Sequence, residues 1–185
     1  MHTLVIGGTR GTGKVVAEAF AKEGHHVSII GRNKPESTIK NASYWALELE
    51  KLELIKKALE EIIKKNGRLN NIIFLQRYRG SGDEWQGELD ISLTATKTII
   101  EALADKFAAS GGKSIVIISS FASDFVFKEQ PVGYHVAKAG LSQMAAYYAV
   151  KLAPKGIRVN CVSPSTVLKE ESKNFYNENE KLYEL

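Results

Sequence analysis

Six short apolar runs, rich in Val and Ile, alternate along this chain with longer stretches whose apolar residues recur at helical spacing. The runs near residues 2–7, 26–31, 43–49, 71–76, 114–119 and 157–162 read as strands, and helices are expected over 11–24, 51–65, 85–109 and 134–152. Such alternation points to a parallel sheet, because parallel neighbours need a long crossover that a helix supplies. Continuously apolar strands suit a sheet covered on both faces. The second helix is the clearest. Leu52, Ile55, Leu59 and Ile62 form one apolar stripe, while Glu53/Lys57, Glu60/Lys64 and Glu61/Lys65 pair four apart on the wet side. Asn66-Gly67 then supplies a C-terminal stop. Its lysines each have a glutamate neighbour, so this is a solvated face and not a basic binding patch.

A chain of 185 residues without repeats or a Pro/Gly-rich linker fits one domain. The expected organisation is a nucleotide-binding unit over 1–168 and a polar tail or partial substrate flap over 169–185. No apolar run approaches the roughly 18 residues of a membrane span, and the N-terminus enters an apolar strand directly, without a charged leader. A cytoplasmic protein is the expectation. The net charge of +4 is modest and its basic residues are scattered, which excludes the clustered stripe of a nucleic-acid binder. The single cysteine, Cys161, has no internal partner and sits in a strand-like run, where it behaves as a small packed hydrophobe. His2, His25 and His26 lack the spacing of metal ligands and read as strand and loop residues.

The first strand runs into Gly7-Gly8-Thr9-Arg10-Gly11-Thr12-Gly13 and then a helix. Glycines at a strand-to-helix turn let the backbone approach a pyrophosphate, and the helix start offers free N–H groups. The second strand ends in Gly31-Arg32, where a site for NAD would carry an acid to hold the ribose hydroxyls. Two guanidinium groups, Arg10 and Arg32, suit a 2′-phosphate instead.

Further along, Tyr134 and Lys138 stand four apart on an expected helix and so share a face. A free phenol titrates near 10, and an ammonium beside it would favour the phenolate. Upstream, the run Ser114 to Ser120 ends in a serine pair. Together Gly7, Gly11 and Gly13, then Ser120, then Tyr-x-x-x-Lys, then the segment Pro154 to Pro164 resemble the short-chain dehydrogenase/reductase family, in order from residue 3 to about 164.

That resemblance implies an α/β, Rossmann-type doubly wound parallel sheet of about six strands with helices on both faces. It implies Tyr134 as general acid/base, Lys138 as the group that tunes it and binds the nicotinamide ribose, and Ser120 as the carbonyl holder, with Ser119 and Ser123 as competing assignments. Ser92 falls where the family has an Asn that holds a relay water. Gly7, Thr9, Arg10, Gly11, Thr12, Gly13, Arg32, Glu48 and Lys138 are the implied cofactor-binding residues, the cofactor being NADP(H). A small-molecule carbonyl or alcohol and a second copy of the chain, in a homodimer or homotetramer, are the implied partners; nucleic acid and membrane are not.

The chain departs from the family pattern in four places. The loop after the fourth strand, normally N-N-A-G, holds bulky Gln76, Arg77 and Tyr78, which would alter the cofactor pocket. Ser92 reaches less far than Asn. Pro164-Ser165 replaces P-G, and Lys169 stands where Thr is usual. Family members commonly continue through substrate-covering elements, whereas here a polar tail follows Lys169, so the sixth strand is expected to be a sheet edge that a partner subunit would cover. The leading expectation is an NADP(H)-dependent oxidoreductase interconverting a carbonyl and an alcohol. The alternative is an NADP-binding protein with little or no catalysis, a sensor or an interaction subunit.

Overall fold

The computed structural model describes residues 1–35, 37–165 and 167. The expected tail over 169–185, with Lys169, lies outside the described residues. Six strands form one parallel sheet: β1 (His2–Ile6), β2 (His26–Gly31), β3 (Ala42–Ala46), β4 (Asn71–Phe74), β5 (Ser114–Ile118) and β6 (Arg158–Val162). Their order is β3-β2-β1-β4-β5-β6, so the sheet is doubly wound and changes direction between β1 and β4. At such a switch point the crevice beyond the carboxyl ends of the strands receives ligands.

Two apolar layers sandwich the sheet. Successive residues of a strand face opposite sides, so Leu4 and Ile6 join one layer and Val5 the other. The larger layer packs under α2 (Leu52–Asn66), α4 (Ala95–Leu103) and α5 (Val132–Leu152), through residues such as Ile55, Ile99 and Leu141. The smaller one packs under α1 (Gly11–Lys22), through Ala17 and Phe20. Both faces therefore carry helix, as expected. β1 is buried along its whole length, whereas β5 and β6 alternate, with Arg158, Asn160 and Val162 exposed. The expectation of strands covered on both faces fails there: among the described residues α1 lies over β1 and β2 and leaves the β6 side open.

Most element boundaries differ from expectation by one or two residues, β4 for example ending at Phe74 and α1 at Lys22, and three differences have a clear physical reason. β3 stops at Ala46 instead of residue 49, because it is an edge strand whose only neighbour, β2, ends at Gly31. Leu47 and Leu49 still bury their side chains as the chain turns away. The single helix expected over 85–109 is α3 (Glu84–Glu88), a π-helical turn (Leu89–Thr94) and α4, which ends at Leu103. The chain leaves the helix there so that residues 106–108 can bond Leu69 and Phe107 can enter the core. α5 begins at Val132, directly after Pro131, which cannot itself continue a helix backwards. Within it, Ala145 and Tyr148 face the core while Tyr147 and Val150 face solvent. No helix among the described residues is long and apolar enough to cross a membrane.

Candidate active site

The glycine turn occupies the rim between β1 and β2. Gly7 has φ +82°, a left-handed conformation that glycine adopts without strain, and its N–H donates to Ile30 O. Its open face lies against the backbone of Gln76 at the end of β4, so β1 and β4 converge at the switch point. Gly13 lets α1 sit on the turn: a Cβ there would stand 2.0 Å from Gly7 O. Arg10 is the N-cap of α1 and gives no side-chain cap bond, while its carbonyl accepts the first helical bond, from Lys14 N. The amides of Gly11, Thr12 and Gly13 therefore point outward without helical partners, and the exposed Arg10 and Thr12 side chains flank them. This is a fitting cradle for a pyrophosphate.

Beside it, Thr9 packs on Gly31, whose missing side chain gives the threonine its space. The Arg32 guanidinium donates from Nη2 to Arg79 O at 3.3 Å, across from the turn. Glu48 is exposed and ion-paired with Lys51 at 2.5 Å. The Lys51 hydrogen bond and charge hold its carboxyl below the usual range, and the Arg32 charge contributes in the same direction.

The second half of the site is built by β5 and α5. Lys138 is 4% exposed and donates to Ile118 O at 3.0 Å, at the last residue of β5. Its Nζ lies 5.5 Å from the centroid of the Tyr134 ring, so the two residues share a helix face as their spacing requires. Burial pushes the Lys138 ammonium down to about 8; the Glu88 carboxylate opposes that shift and the Arg77 cation adds to it.

The three serines after β5 have different partners. Ser119 is buried and donates to Lys138 O at 2.7 Å, pinning β5 to α5. Ser123 donates to Ser120 O and to the Asp124 carboxylate. Ser120 accepts from Ala122 N, and among the described residues its own O–H has no acceptor. Of the three it alone keeps a hydroxyl proton to offer. His135 is held elsewhere: Nδ1 donates to Pro131 O and Nε2 accepts from Phe127 N.

Two further residues in this site, Glu88 and Arg77, have no catalytic or binding role legible in the sequence. Glu88, 1% exposed, accepts from Ser92 Oγ at 3.0 Å on Oε2. Its other oxygen lies 3.9 Å from Nη2 of Arg77. The Ser92 hydroxyl is thus committed to a carboxylate, inside a π-helical turn of the kind that often marks functional sites. Arg77 lays its guanidinium on the Tyr134 ring, 4.5 Å from the centroid, and donates to Gln130 Oε1 at 3.3 Å. The bulk of the loop after β4 is therefore directed at the helix that carries Tyr134. Gln76 donates to Thr96 Oγ1 and Ile91 O, and the Tyr78 ring fills the space left by Gly80 and Gly87. The one sequence signal for Glu88 is its place four residues before Ser92.

A family model described as Enoyl-(Acyl carrier protein) reductase matches residues 7–185. The chain is 27% identical to isoepoxydon dehydrogenase patN of Penicillium expansum, over 90% of this chain and 70% of that protein. It is 29% identical to Dehydrogenase/reductase SDR family member 4 of Rattus norvegicus, over 89% of this chain and 64% of that protein. Among solved structures, ElxO with NADP bound superposes with a TM-score of 0.84 at 23% identity, covering 97% of this chain and 79% of that one. A short-chain dehydrogenase from Leptospira borgpetersenii with bound NAD+ superposes with a TM-score of 0.83 at 19% identity, covering 95% and 75%.

Proposed function

The chain belongs to the short-chain dehydrogenase/reductase family of oxidoreductases, and from that premise we propose that it interconverts a carbonyl and an alcohol with NADP(H). The observation that carries this reading is the buried Lys138, anchored on Ile118 O with its ammonium 5.5 Å from the Tyr134 ring. A nicotinamide cofactor, held by the glycine turn and Lys138, would supply hydride to the substrate carbon in reduction and accept it in oxidation. The protein's part is positioning and proton transfer. Ser120 donates its free O–H to the carbonyl oxygen, which stabilises the charge that develops there. Tyr134 gives its phenolic proton to that oxygen in reduction and takes one back in oxidation. Lys138 has three N–H donors; one is used on Ile118 O, leaving two for the ribose hydroxyls and the phenolate.

Arg10 and Arg32 support NADP(H) over NAD(H), because a 2′-phosphate between guanidinium groups gains charge-assisted hydrogen bonds. The solved relatives include complexes with both cofactors, so the preference rests on these two side chains. A homo-oligomer packed through α4 and α5 fits the solvent-facing Tyr147 and Val150.

The test is NADPH oxidation with a panel of carbonyl compounds, compared between the parent and Tyr134→Phe. Turnover in the parent that disappears in the variant is expected; equal rates would overturn the mechanism. A second reading, nucleotide binding without turnover, is favoured by Arg77 lying on the Tyr134 ring. It predicts calorimetric NADPH binding with no oxidation of NADPH by any carbonyl.

A further inference from the structure

We propose that Arg77 is a specificity-determining residue that selects substrates carrying a carboxylate beside the reacting carbonyl, such as 2-oxo acids and their 2-hydroxy counterparts. The proposal rests on the oxidoreductase reading above.

Position comes first. Arg77 stands three residues beyond the end of β4, on the ligand-binding rim of the sheet. Its guanidinium lies against the ring of the proposed acid, Tyr134, and its Nη2 reaches Gln130 on the loop that leads into α5. A carbonyl held at the Tyr134 hydroxyl would place a substituent one bond away next to this guanidinium.

Hydrogen-bond capacity points the same way. A guanidinium has five N–H donors in a rigid fork that matches a carboxylate. Here only Nη2 makes a hydrogen bond among the described residues, and Nε is buried with no partner. At 3.9 Å the Glu88 contact is an ion pair and too long for a direct hydrogen bond. A side chain serving only to lock the loop would satisfy its donors within the protein, since a buried donor left unpaired is destabilising.

The charges around Tyr134 do not balance. Two cations, Arg77 and Lys138, flank Tyr134, and Glu88 is the one buried carboxylate beside them among the described residues. An anionic substrate group supplies the missing negative charge, and Glu88 holds Arg77 in place to receive it.

The experiment compares a series of three- to six-carbon 2-oxo acids with their methyl esters as substrates of the full chain with NADPH, in the parent, Arg77→Lys and Arg77→Gln. The parent is expected to favour acids over esters by at least ~10-fold in kcat/KM, the scale of a charge-assisted bond. In Arg77→Gln that ratio collapses toward one, and Arg77→Lys recovers only part of it because the fork is lost. Equal use of acid and ester by the parent, or a preference that survives in Arg77→Gln, overturns the proposal. So does faster turnover of both by Arg77→Gln, which would make the guanidinium an obstruction. Calorimetric titration of the same acids into the protein with NADP+ keeps the test independent of turnover. Binding weakened at least ~10-fold by Arg77→Gln supports the proposal even where no carbonyl is reduced and the oxidoreductase reading fails. Absent or unchanged binding of the acids overturns it.

Discussion

Thr9 occupies the space that any side chain at Gly31 would need: a Cβ on Gly31 would lie 2.5 Å from Thr9 Cγ2 and 2.9 Å from Oγ1. The glycine turn and the end of β2 therefore fit as one unit, and the choice of cofactor is coupled across them. An acid at position 31, the usual device for ribose hydroxyls, cannot simply be introduced. Gly31→Asp is expected to lower the melting temperature by several degrees and to weaken NADPH binding at least ~10-fold, through overpacking of about 1–3 kcal/mol. Combining it with Thr9→Ala should restore the melting temperature and leave NADH bound more tightly than NADPH by calorimetry. A single variant that melts like the parent would show that Thr9 yields freely.

Gly13 has a stricter constraint, because its neighbour is backbone. A methyl group on Gly13 would stand 2.0 Å from Gly7 O, so Gly13→Ala must push α1 off the turn. A loss of about 3 kcal/mol or more is expected in urea unfolding, together with loss of NADPH binding at concentrations that saturate the parent. Gly24→Ala is the comparison. Among the described residues no atom lies within 4 Å of a Cβ there, so its cost is that of φ +82° alone.

Burial of the Lys138 ammonium costs stability. Its ammonium is displaced from 10.5 to about 8 chiefly by burial, which corresponds to about 3 kcal/mol of cost when charged, partly offset by the bond to Ile118 O. The unfolded chain binds the proton more tightly, so this penalty is fully present below pH 8 and is relieved as pH rises from 8 to 10.5. Lys138→Met is expected to be more stable than the parent by about 1–2 kcal/mol at pH 7 while losing turnover. The stability difference should shrink as pH rises toward about 10. Turnover by the parent should decline above about pH 8 as the ammonium loses its proton.

His2 couples stability to pH in the acid range. It is 4% exposed in β1, with Nδ1 on Gly67 O and Nε2 on Ser28 Oγ. Burial holds it below its usual pKa of 6.5, an effect the Gly67 bond partly opposes. Below pH 6.5 the unfolded chain takes up the proton first, so stability falls as pH drops from 6.5 toward the lower folded value. Thermal melts between about pH 7.5 and about pH 5 should show that fall in the parent and a flatter dependence in His2→Gln. Parallel curves for the two proteins would assign the pH dependence to other groups.

The site is legible in the sequence in unequal parts. The glycine turn and the Tyr134–Lys138 pair follow from local spacing, because a strand-to-helix junction and two residues four apart on a helix are short-range geometry. Spacing alone leaves the serine assignment open. The structure shows the serines' partners: Ser119 donates to Lys138 O and Ser123 to Ser120 O, while the Ser120 hydroxyl has no acceptor among the described residues. The partner of Ser92, Glu88, becomes visible only with the π-helical turn that gathers both into the interior. Glu48, grouped with the cofactor residues by resemblance, pairs with Lys51 at the surface near Arg32.

Alternating Val/Ile runs and amphipathic stripes were sufficient to determine the sheet, its parallel sense and the nucleotide turn at its first junction, because each is set by residues close in the chain. Tertiary structure decided where β4 releases its loop. Phe74 is the last β4 residue paired with β1, and beyond it Gln76, Arg77 and Tyr78 turn toward three different elements. The meeting of Arg77, Glu88, Tyr134 and Lys138 joins residues up to 61 positions apart in number. No local periodicity encodes such a meeting, since it depends on how helices from separate segments pack across one sheet edge.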